Sequence, residues 1–314
     1  MTDRTLRLGS RKSPMAIVQS ELVAALITER TGCPVEIVGV TTLGDVSRAQ
    51  LTQIGGTGVF VSALREALLG GEVDLAVHSL KDLPAGAAPG IALAAVPPRD
   101  DPRDALVARD GAKLADLPAG ARIGTGSPRR AAQLLAIRGD LQTVPIRGNA
   151  GTRLRQVTDG ELDGVVLAAA GLARIGQQNA ISQVFEPDEM LPAPGQGALA
   201  VECRDDDPEL AGLLAAVNDE ASMAAAVAER SLLEALAAGC SAPVGGYAAG
   251  TGQLLMRAAV LSPDGTRALR AHGSAPAADA RRLGQDLAAE LLRRGASDFL
   301  SGPNGPTNSG NDVQ

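Results

Sequence analysis

Arginines gather at a few turns of this chain, where their side chains suit the binding of carboxylates or phosphates. Arg11, Arg129, Arg130, Arg147 and Arg153 each lie at or just inside a predicted strand-to-helix turn. A guanidinium group forms forked, charge-assisted hydrogen bonds with such anions. Helix N-termini add backbone N–H donors and a partial positive charge. Five arginines at equivalent turns therefore predict a site for an anionic ligand of several charges, although each alone could be a solvated helix cap paired with an acidic residue.

Two other residues are placed to do chemistry. Asp82 follows a predicted strand at residues 73–77, and a carboxylate there could stabilise a cation or relay a proton, or simply form a turn. Cys240 follows a helix stop and precedes the Gly/Pro-rich stretch 241–246, which we interpret as a loop. A thiol on a loop can carry a covalent group, and the alternative is a packed apolar side chain. With only 2 His in the chain, no metal site is predicted.

Composition narrows the class of ligand. The chain has 314 residues and a net charge of −7, and 26 of its 29 basic residues are arginines, a proportion that genomic base composition alone can produce. The 3 Phe, 1 Tyr and absence of Trp oppose nucleic-acid binding by base stacking. The negative charge opposes a general polyanion binder. We therefore expect a small-molecule partner and no nucleic acid.

Strands and helices alternate over the first 190 residues. The pattern predicts strands at 6–8 and 35–40, and between them a helix with Ser13 as N-cap and Pro14 in its first turn. The stretch Ile123–Pro128 repeats the strand, glycine, hydroxyl and Ser-Pro order of Leu8–Pro14, and two further matched stretches follow in the same order. The repeat predicts two similar α/β lobes with a cleft between them, where strand ends and helix N-termini face the ligand.

The predicted organisation has a third unit after the two lobes. A long Ala-rich helix is expected from about Asp219 to Ala238, then strands at 253–261 and 267–271 and a last helix at 277–294. An insertion near 46–58 in the first lobe is predicted to be a mobile lid or an ordinary surface loop. We therefore expect lobe 1 at 1–97 with 198–217, lobe 2 at 103–192, a C-terminal α+β domain at 219–300 and a disordered tail at 301–314.

The cysteines and the apolar runs bear on the compartment. Three scattered cysteines favour free thiols in a reducing cytoplasm and oppose a disulfide framework. No apolar run approaches the ~18–20 residues that a membrane helix needs. We therefore expect a cytoplasmic protein with no membrane association. We also expect a monomer.

Seven motifs together resemble the porphobilinogen deaminase family, also called hydroxymethylbilane synthase, and they occur in family order across roughly residues 5–300. They are Leu8–Pro14, His78–Pro84, Gly124–Arg130, Ile146–Arg153, Ala168–Arg174, Pro194–Ala198 and Gly239–Gly245. The resemblance implies two lobes similar to those of type II periplasmic binding proteins, plus a smaller C-terminal α+β domain. It also implies a transferase of haem and porphyrin biosynthesis that condenses four porphobilinogen molecules into linear hydroxymethylbilane with release of ammonia.

The resemblance further assigns roles to residues of this chain. Asp82 corresponds to the catalytic carboxylate, and Cys240 to the thioether anchor of a dipyrromethane cofactor. The residues implied to bind that cofactor are Lys81, Ser127, Arg129 and Arg130. The residues implied to bind substrate are Arg11, Ser13, Gln19, Phe60, Thr125, Arg147, Arg153, Arg174 and Gln196.

This chain departs from the family pattern in the insertion. Many relatives have basic residues near the positions of Gln53 and Thr57, and some have arginine at the position of Leu43. We therefore expect no strong charged contact between the insertion and substrate, and we expect activity to be kept because Asp82 and Cys240 are both present.

Two other functions compete with this reading. A non-catalytic two-lobe module that binds a carboxylate or oxyanion would use the same repeat and arginines, but it leaves Cys240 and the third domain unexplained. An organic-acid transferase with a free Cys240 nucleophile lacks a base, because His78 and His272 lie in unrelated motifs.

Overall fold

The structure is a computed structural model that describes residues 4–41, 58–239 and 242–300. Its first sheet has the strand order β2-β1-β3-β10-β4. β1 runs parallel to β2 and β3, and β10 is antiparallel to β3 and β4. The strands of this sheet are β1 (Leu6–Arg11), β2 (Val35–Val40), β3 (Leu75–Ser79), β4 (Ile91–Ala95) and β10 (Leu199–Arg204).

The second sheet repeats this arrangement with the order β7-β6-β8-β5-β9. Three parallel strands are again followed by an antiparallel one, here β5. Its strands are β5 (Asp104–Ala108), β6 (Arg122–Thr125), β7 (Gln142–Pro145), β8 (Gly164–Ala168) and β9 (Gln183–Val184). The chain leaves the first sheet after β4 and returns to it as β10, so two crossings connect the lobes. The predicted pair of similar α/β lobes is thus confirmed.

Equivalent Ser-Pro pairs start equivalent helices in the two lobes. Ser13 accepts a hydrogen bond from the Ala16 N–H (3.3 Å) at the start of α1 (Pro14–Thr31). Ser127 does the same for the Arg130 N–H (3.4 Å) at the start of α3 (Pro128–Ile137). A side-chain acceptor satisfies a backbone donor that the first helical turn leaves unpaired. The other lobe helices are α2 (Gly58–Leu69), α4 (Ala150–Thr158), α5 (Ala169–Arg174) and α6 (Pro208–Leu214).

The third sheet is an antiparallel meander that packs on two helices. β11 (Val244–Ala249) pairs with β12 (Gln253–Leu261), which pairs with β13 (Ala268–Pro276). The helices α7 (Glu220–Ala235) and α8 (Ala280–Arg293) share a buried apolar core with this sheet. A short helix, α9 (Ser297–Leu300), ends the described chain.

A buried ion pair attaches the third unit to the crossings. Glu229 of α7 is fully buried and accepts hydrogen bonds from Arg99 (2.6 Å to Nη1) and from the N–H groups of Gly195 (2.5 Å) and Ala248 (2.8 Å). Arg99 belongs to the first crossing and Gly195 to the second. One carboxylate therefore joins both crossings to the C-terminal unit, directly beside the cleft.

Several predicted boundaries were wrong. The strand predicted at 73–77 is β3 at 75–79, and the predicted strand at 6–8 continues to Arg11. The Ala-rich helix ends at Ala235 and not at 238, because Ala237 adopts a left-handed conformation (φ 49°). The last strand extends from 268 to 276, and the last helix begins at 280. The exact domain boundaries given above stay a prediction.

The interpretation of 241–246 as loop was wrong for Val244 and the two residues after it, which begin β11. A Cβ on Gly245 would lie 3.0 Å from Leu191, and one on Gly246 would lie 2.9 Å from Leu232. Glycine is therefore present at both positions because β11 passes close to neighbouring residues, and not because the chain turns there. The insertion predicted near 46–58 lies outside the described residues except for Gly58, the first residue of α2, and the tail at 301–314 lies outside them as well.

Candidate active site

A cavity of about 1010 Å³ lies between the two lobes. Its walls include the turns after β1 and β3 in lobe 1 and the starts of α3 and α4 in lobe 2. Nine of the residues singled out from the sequence line it: Arg11, Ser13, Gln19, Lys81, Asp82, Arg130, Arg147, Arg153 and Arg174. The structure therefore brings the cationic turns of both lobes, and Asp82, to one space.

Asp82 ends a single helical turn, Leu80–Asp82, which follows β3 directly. Leu80 is buried, and its N–H donates to the carbonyl of Ala198 (3.0 Å) on the second crossing. Gly195 approaches this turn so closely that a Cβ on Gly195 would lie 3.0 Å from the backbone nitrogen of Lys81. The turn is therefore fixed from behind, which leaves Asp82 exposed at the cavity wall.

Lys81 carries a perturbed amine beside that carboxylate. Burial lowers the pKa of Lys81 to about 8, with the positive charge of Arg130 acting in the same direction, while the negative charge of Asp82 opposes the shift. The ammonium group therefore loses its proton at a lower pH than an ordinary lysine does. Near neutral pH Lys81 still adds a positive charge to the cavity.

On the lobe 1 wall, Gln19 of α1 donates a hydrogen bond to the Ser79 hydroxyl (2.8 Å) at the end of β3. Both residues line the cavity, and Gln19 is buried. The bond fixes α1 against the strand that leads to Asp82. Ser79 was not singled out from the sequence, although it stands three residues before Asp82 in a quoted motif.

Arg129 and Arg130 share one buried carboxylate. Asp104, the first residue of β5, accepts from Arg129 Nη1 (2.7 Å), Arg130 Nε (2.9 Å) and Gln196 Nε2 (2.9 Å). Burial of Asp104 raises its pKa, but the charges of Arg129 and Arg130 outweigh this and hold that pKa far below its usual range. Burial lowers the pKa of Arg129, against the charge of Asp104. The alternative interpretation, a cap arginine paired with an acidic residue, therefore applies at this turn, although both arginines are buried and not solvated.

Sequence reasoning missed Asp104. A signal was present, because Asp104 opens a strand that is otherwise apolar, and a charge in such a strand requires a partner. Thr125, predicted to bind substrate, is buried, and its hydroxyl accepts from the Ser127 N–H (3.2 Å). Thr125 therefore shapes the turn. It does not line the cavity between the lobes, nor a second, smaller cavity that adjoins it.

The turn before α4 presents its arginines differently. Asn149 caps the helix by accepting from the Thr152 N–H (2.9 Å). Arg153 donates through Nε to the Gly148 carbonyl (2.9 Å), and burial, followed by the charge of Arg130, lowers the pKa of Arg153. Arg147 is exposed at the cavity. Within the described residues, neither Arg147 nor Arg153 is in an ion pair.

A second, smaller cavity of about 170 Å³ adjoins the first. Lys81, Asp82 and Arg130 line both cavities. The second cavity is also lined by three predicted site residues, Ser127, Arg129 and Gln196, and by Gly239, which precedes Cys240. Ala242 lines it as well, so the chain on both sides of the predicted anchor reaches this space. Cys240 itself lies outside the described residues, as do Leu43, Gln53 and Thr57.

Phe60 belongs to α2, and its side chain lies outside the description. Among the described residues, no cluster of three or more His, Cys, Asp or Glu side chains is arranged to hold a metal ion. No single described helix has both the length and the apolar composition for crossing a membrane, although one sharply bent pair, 208–217 with 220–235, passes when taken together.

Two protein-family models match this chain. The model described as "Porphobilinogen deaminase, dipyromethane cofactor binding domain" matches residues 6–212, and that of the porphobilinogen deaminase C-terminal domain matches 223–293. The chain belongs to the porphobilinogen deaminase family. Family membership makes it a transferase of tetrapyrrole biosynthesis with a dipyrromethane cofactor. A non-catalytic binding module is not favoured, because it does not account for the match of the C-terminal domain.

Individual porphobilinogen deaminases are similar over nearly their full length. The chain is 55% identical to that of Thermobifida fusca, covering 96% of this chain and 97% of the relative. It is 52% identical to porphobilinogen deaminase 1 of Streptomyces coelicolor, with 96% and 98% covered. The chain therefore spans the whole length of these relatives within a few percent.

The solved structures that this chain resembles include periplasmic binding proteins. An arginine-specific periplasmic binding protein of Salmonella typhimurium has a TM-score of 0.39 and 16% identity, covering 68% of this chain and 92% of its own. A periplasmic substrate-binding protein of an ABC transporter from Coxiella burnetii has a TM-score of 0.43 and 19% identity, with 68% and 91% covered. These scores are low, and the two-lobe assignment rests on the repeated strand order.

Proposed function

We propose that this member of the porphobilinogen deaminase family joins four porphobilinogen molecules into linear hydroxymethylbilane, with Asp82 as its catalytic carboxylate. The observation that supports this role is the position of Asp82 at both cavities. One cavity is lined by cationic residues of both lobes, and the other reaches the chain on both sides of Cys240. Asp82 thus stands between the space for incoming substrate and the region of the proposed anchor.

The cationic residues would hold the substrate by its acid side chains. Each porphobilinogen carries an acetate and a propionate, so a chain of several units accumulates negative charge. Guanidinium groups bind carboxylates in a fixed geometry, whereas lysine ammonium groups bind them less directionally. We assign this role to Arg11, Arg147, Arg153 and Arg174, with Ser13 and Gln19 as neutral partners in the same cavity.

Asp82 would act where the charge changes. Loss of ammonia from the aminomethyl group of porphobilinogen leaves a cation on the substrate, and an ionised carboxylate beside it lowers the energy of that cation. Each condensation breaks one C–N bond and one C–H bond, forms one C–C bond and releases one proton. The ammonia and the proton leave together as ammonium, and Asp82 is placed to accept and pass on that proton. After the fourth condensation, hydrolysis by one water molecule frees the linear product and supplies its hydroxyl group.

The residues around the second cavity fit a polycarboxylate cofactor. The Nε–H of Arg129 is buried and has no hydrogen-bond acceptor within the described residues. A carboxylate of the cofactor could therefore accept a hydrogen bond from this donor. We propose Cys240 as the covalent anchor, with Lys81, Ser127, Arg129 and Arg130 holding the cofactor and Gln196 supporting Arg130. When bound, the dipyrromethane supplies the pyrrole carbon that receives the first substrate unit.

Two residues that the resemblance implied to bind substrate remain. Phe60 would pack against a pyrrole ring, whereas we propose for Thr125 a role in supporting the turn that carries Ser127. We also propose that the enzyme is a cytoplasmic monomer, since its three scattered cysteines favour free thiols in a reducing compartment. Size-exclusion chromatography with light scattering tests the monomer, and cell fractionation tests the compartment.

The intact mass of the purified protein tests the anchor. We expect an excess over the chain mass equal to two linked pyrrole units, and we expect Cys240→Ser to lack it. Cys203→Ala is the matched control, because that thiol is buried in β10 and should leave the excess unchanged. Active protein of unmodified mass, or the same excess in Cys240→Ser, would remove Cys240 from this role.

Consumption of porphobilinogen and release of ammonia test the catalytic carboxylate. Asp82→Asn keeps the side-chain shape but removes the charge, and we expect turnover to fall at least about 100-fold, the scale of one general acid–base group. Asp188→Asn is the control, because Asp188 pairs with Arg257 on the exposed surface. Near-normal turnover in folded Asp82→Asn would contradict the assignment.

A further inference from the structure

Arg174, a proposed substrate-binding residue, is held by a carboxylate that no motif pointed to. Asp100 Oδ2 accepts a hydrogen bond from Arg174 Nε (2.9 Å) and lies 2.8 Å from Arg174 Nη2 in an ion pair. Arg174 Nη2 also donates to the Gly197 carbonyl (2.8 Å). Arg174 lies at the end of α5 in lobe 2, whereas Asp100 and Gly197 belong to the two crossings. One guanidinium group thus connects lobe 2 to both crossings at the cavity wall.

The support beneath this contact is rigid. The Asp100 N–H donates to the Gly197 carbonyl (3.3 Å), so the two crossings run side by side at this point. Gly197 has φ of 87°, and a Cβ there would lie 2.5 Å from the Asp100 carbonyl oxygen. Only glycine fits at this approach. Asp100 therefore presents its carboxylate from a backbone that has little freedom to move.

The contact with Asp100 and Gly197 holds one edge of the Arg174 guanidinium group and leaves the other edge available to a ligand. Nε and Nη2 are used, while Nη1 has no acceptor recorded within the described residues. Arg174 is nearly buried (7% exposed side chain), whereas the Asp100 side chain is half exposed (49%). A long side chain that is already held in one orientation loses less conformational freedom when it binds a ligand. Arg174 is thereby oriented before substrate arrives.

We infer that Asp100 is a positioning residue that orients Arg174 toward the substrate carboxylates; this rests on the proposed function. Asp101, the next residue, differs in its partner. Its carboxylate accepts from Arg103 (2.8 and 2.9 Å), and Arg103 is not among the residues that line either cavity. Two adjacent acids on one crossing therefore hold one cavity arginine and one arginine outside the cavity.

Steady-state kinetics of Asp100→Asn tests this inference. Asparagine keeps the shape of the side chain but removes its charge, so we expect the KM for porphobilinogen to rise about three- to fivefold, the scale of a partly exposed charge pair. We expect kcat to change less than twofold, because Asp82 is untouched. Asp100→Glu should restore most of the affinity, and Asp101→Asn should leave KM unchanged. Circular dichroism and thermal unfolding confirm that each variant is folded.

A double-mutant cycle separates positioning from a general effect on the crossing. If Asp100 acts through Arg174, Asp100→Asn should have no further effect on KM in an Arg174→Gln background. An unchanged or lowered KM in Asp100→Asn, or an equal rise in both backgrounds, would overturn the inference. Wild-type turnover of porphobilinogen in the same assay tests the proposed function separately, since its absence would contradict that function whatever Asp100 does.

Discussion

Two strand-to-helix turns of lobe 2 each carry two arginines, but the environments of these arginines are opposite. At the start of α3, Arg129 and Arg130 are 2% and 6% exposed, and Asp104 binds both. At the start of α4, Arg147 is exposed and Arg153 is partly buried, and no described carboxylate pairs with either of them. The first turn is neutralised largely from within the protein, while the second has no described carboxylate to neutralise it and is the turn that we propose to bind substrate.

The difference shows what decides whether a cluster of arginines is structural or ligand-facing. A buried guanidinium requires a compensating charge, because desolvation of an unpaired ion costs several kcal/mol. Asp104 supplies that charge and also accepts from Gln196 on the second crossing. The α3 turn thus connects lobe 2 to the crossing. Arg129 and Arg130 both line the smaller cavity, and of the two only Arg130 also lines the larger one. The α4 turn has no such constraint.

Removal of the shared carboxylate should produce the largest effect. Asp104→Asn would leave two buried guanidinium groups without an anion, so we expect the free energy of unfolding to fall by about 3–5 kcal/mol. Urea denaturation followed by circular dichroism measures this. Asp188→Asn, which removes the partner of exposed Arg257, should cost less than about 1 kcal/mol. Equal losses in the two variants would break the distinction between the turns.

Some of this arrangement was predictable from the sequence. The repeated Ser-Pro starts and strand-to-helix turns are local signals, so they predicted two lobes and placed Arg147 and Arg153 at the cavity. Which arginines are buried depends on Asp104, which reaches α3 only because the first crossing brings β5 beside β8. Asp100 depends in the same way on two crossings 97 residues apart. Such contacts leave no periodic signal in the chain.

The C-terminal unit shows the same limit in another form. Gly245 and Gly246 were interpreted as loop residues because glycine and proline mark turns in most chains. In the structure they are the tight-packing part of β11, against Leu191 and Leu232. A glycine required by a neighbouring side chain cannot be distinguished from a glycine required by backbone conformation when only the sequence is known.

Arg147→Ala should have a smaller effect, on a different quantity. Loss of a charge-assisted contact with a substrate carboxylate costs about 1.5–3 kcal/mol, so we expect kcat/KM for porphobilinogen to fall about 10- to 150-fold. The free energy of unfolding should stay within about 0.5 kcal/mol of wild type, because Arg147 is exposed and has no ion pair within the described residues. A large loss of stability with normal kinetics would reverse the roles of the two turns.

Lys81 should produce the smallest effect, and its charge depends on pH. Because its pKa is lowered to about 8, Lys81 is protonated near pH 7 and neutral by about pH 9.5, so the cavities lose one positive charge as pH rises through 8. We expect the KM of wild type to rise a few-fold across this range. Lys81→Arg keeps its charge throughout, so its KM should rise less. Titration of the substrate itself contributes equally to both proteins. If the two profiles are parallel, carboxylate binding depends on the arginines alone, and the contrast between the α3 and α4 turns is sufficient to describe the charge of the cleft.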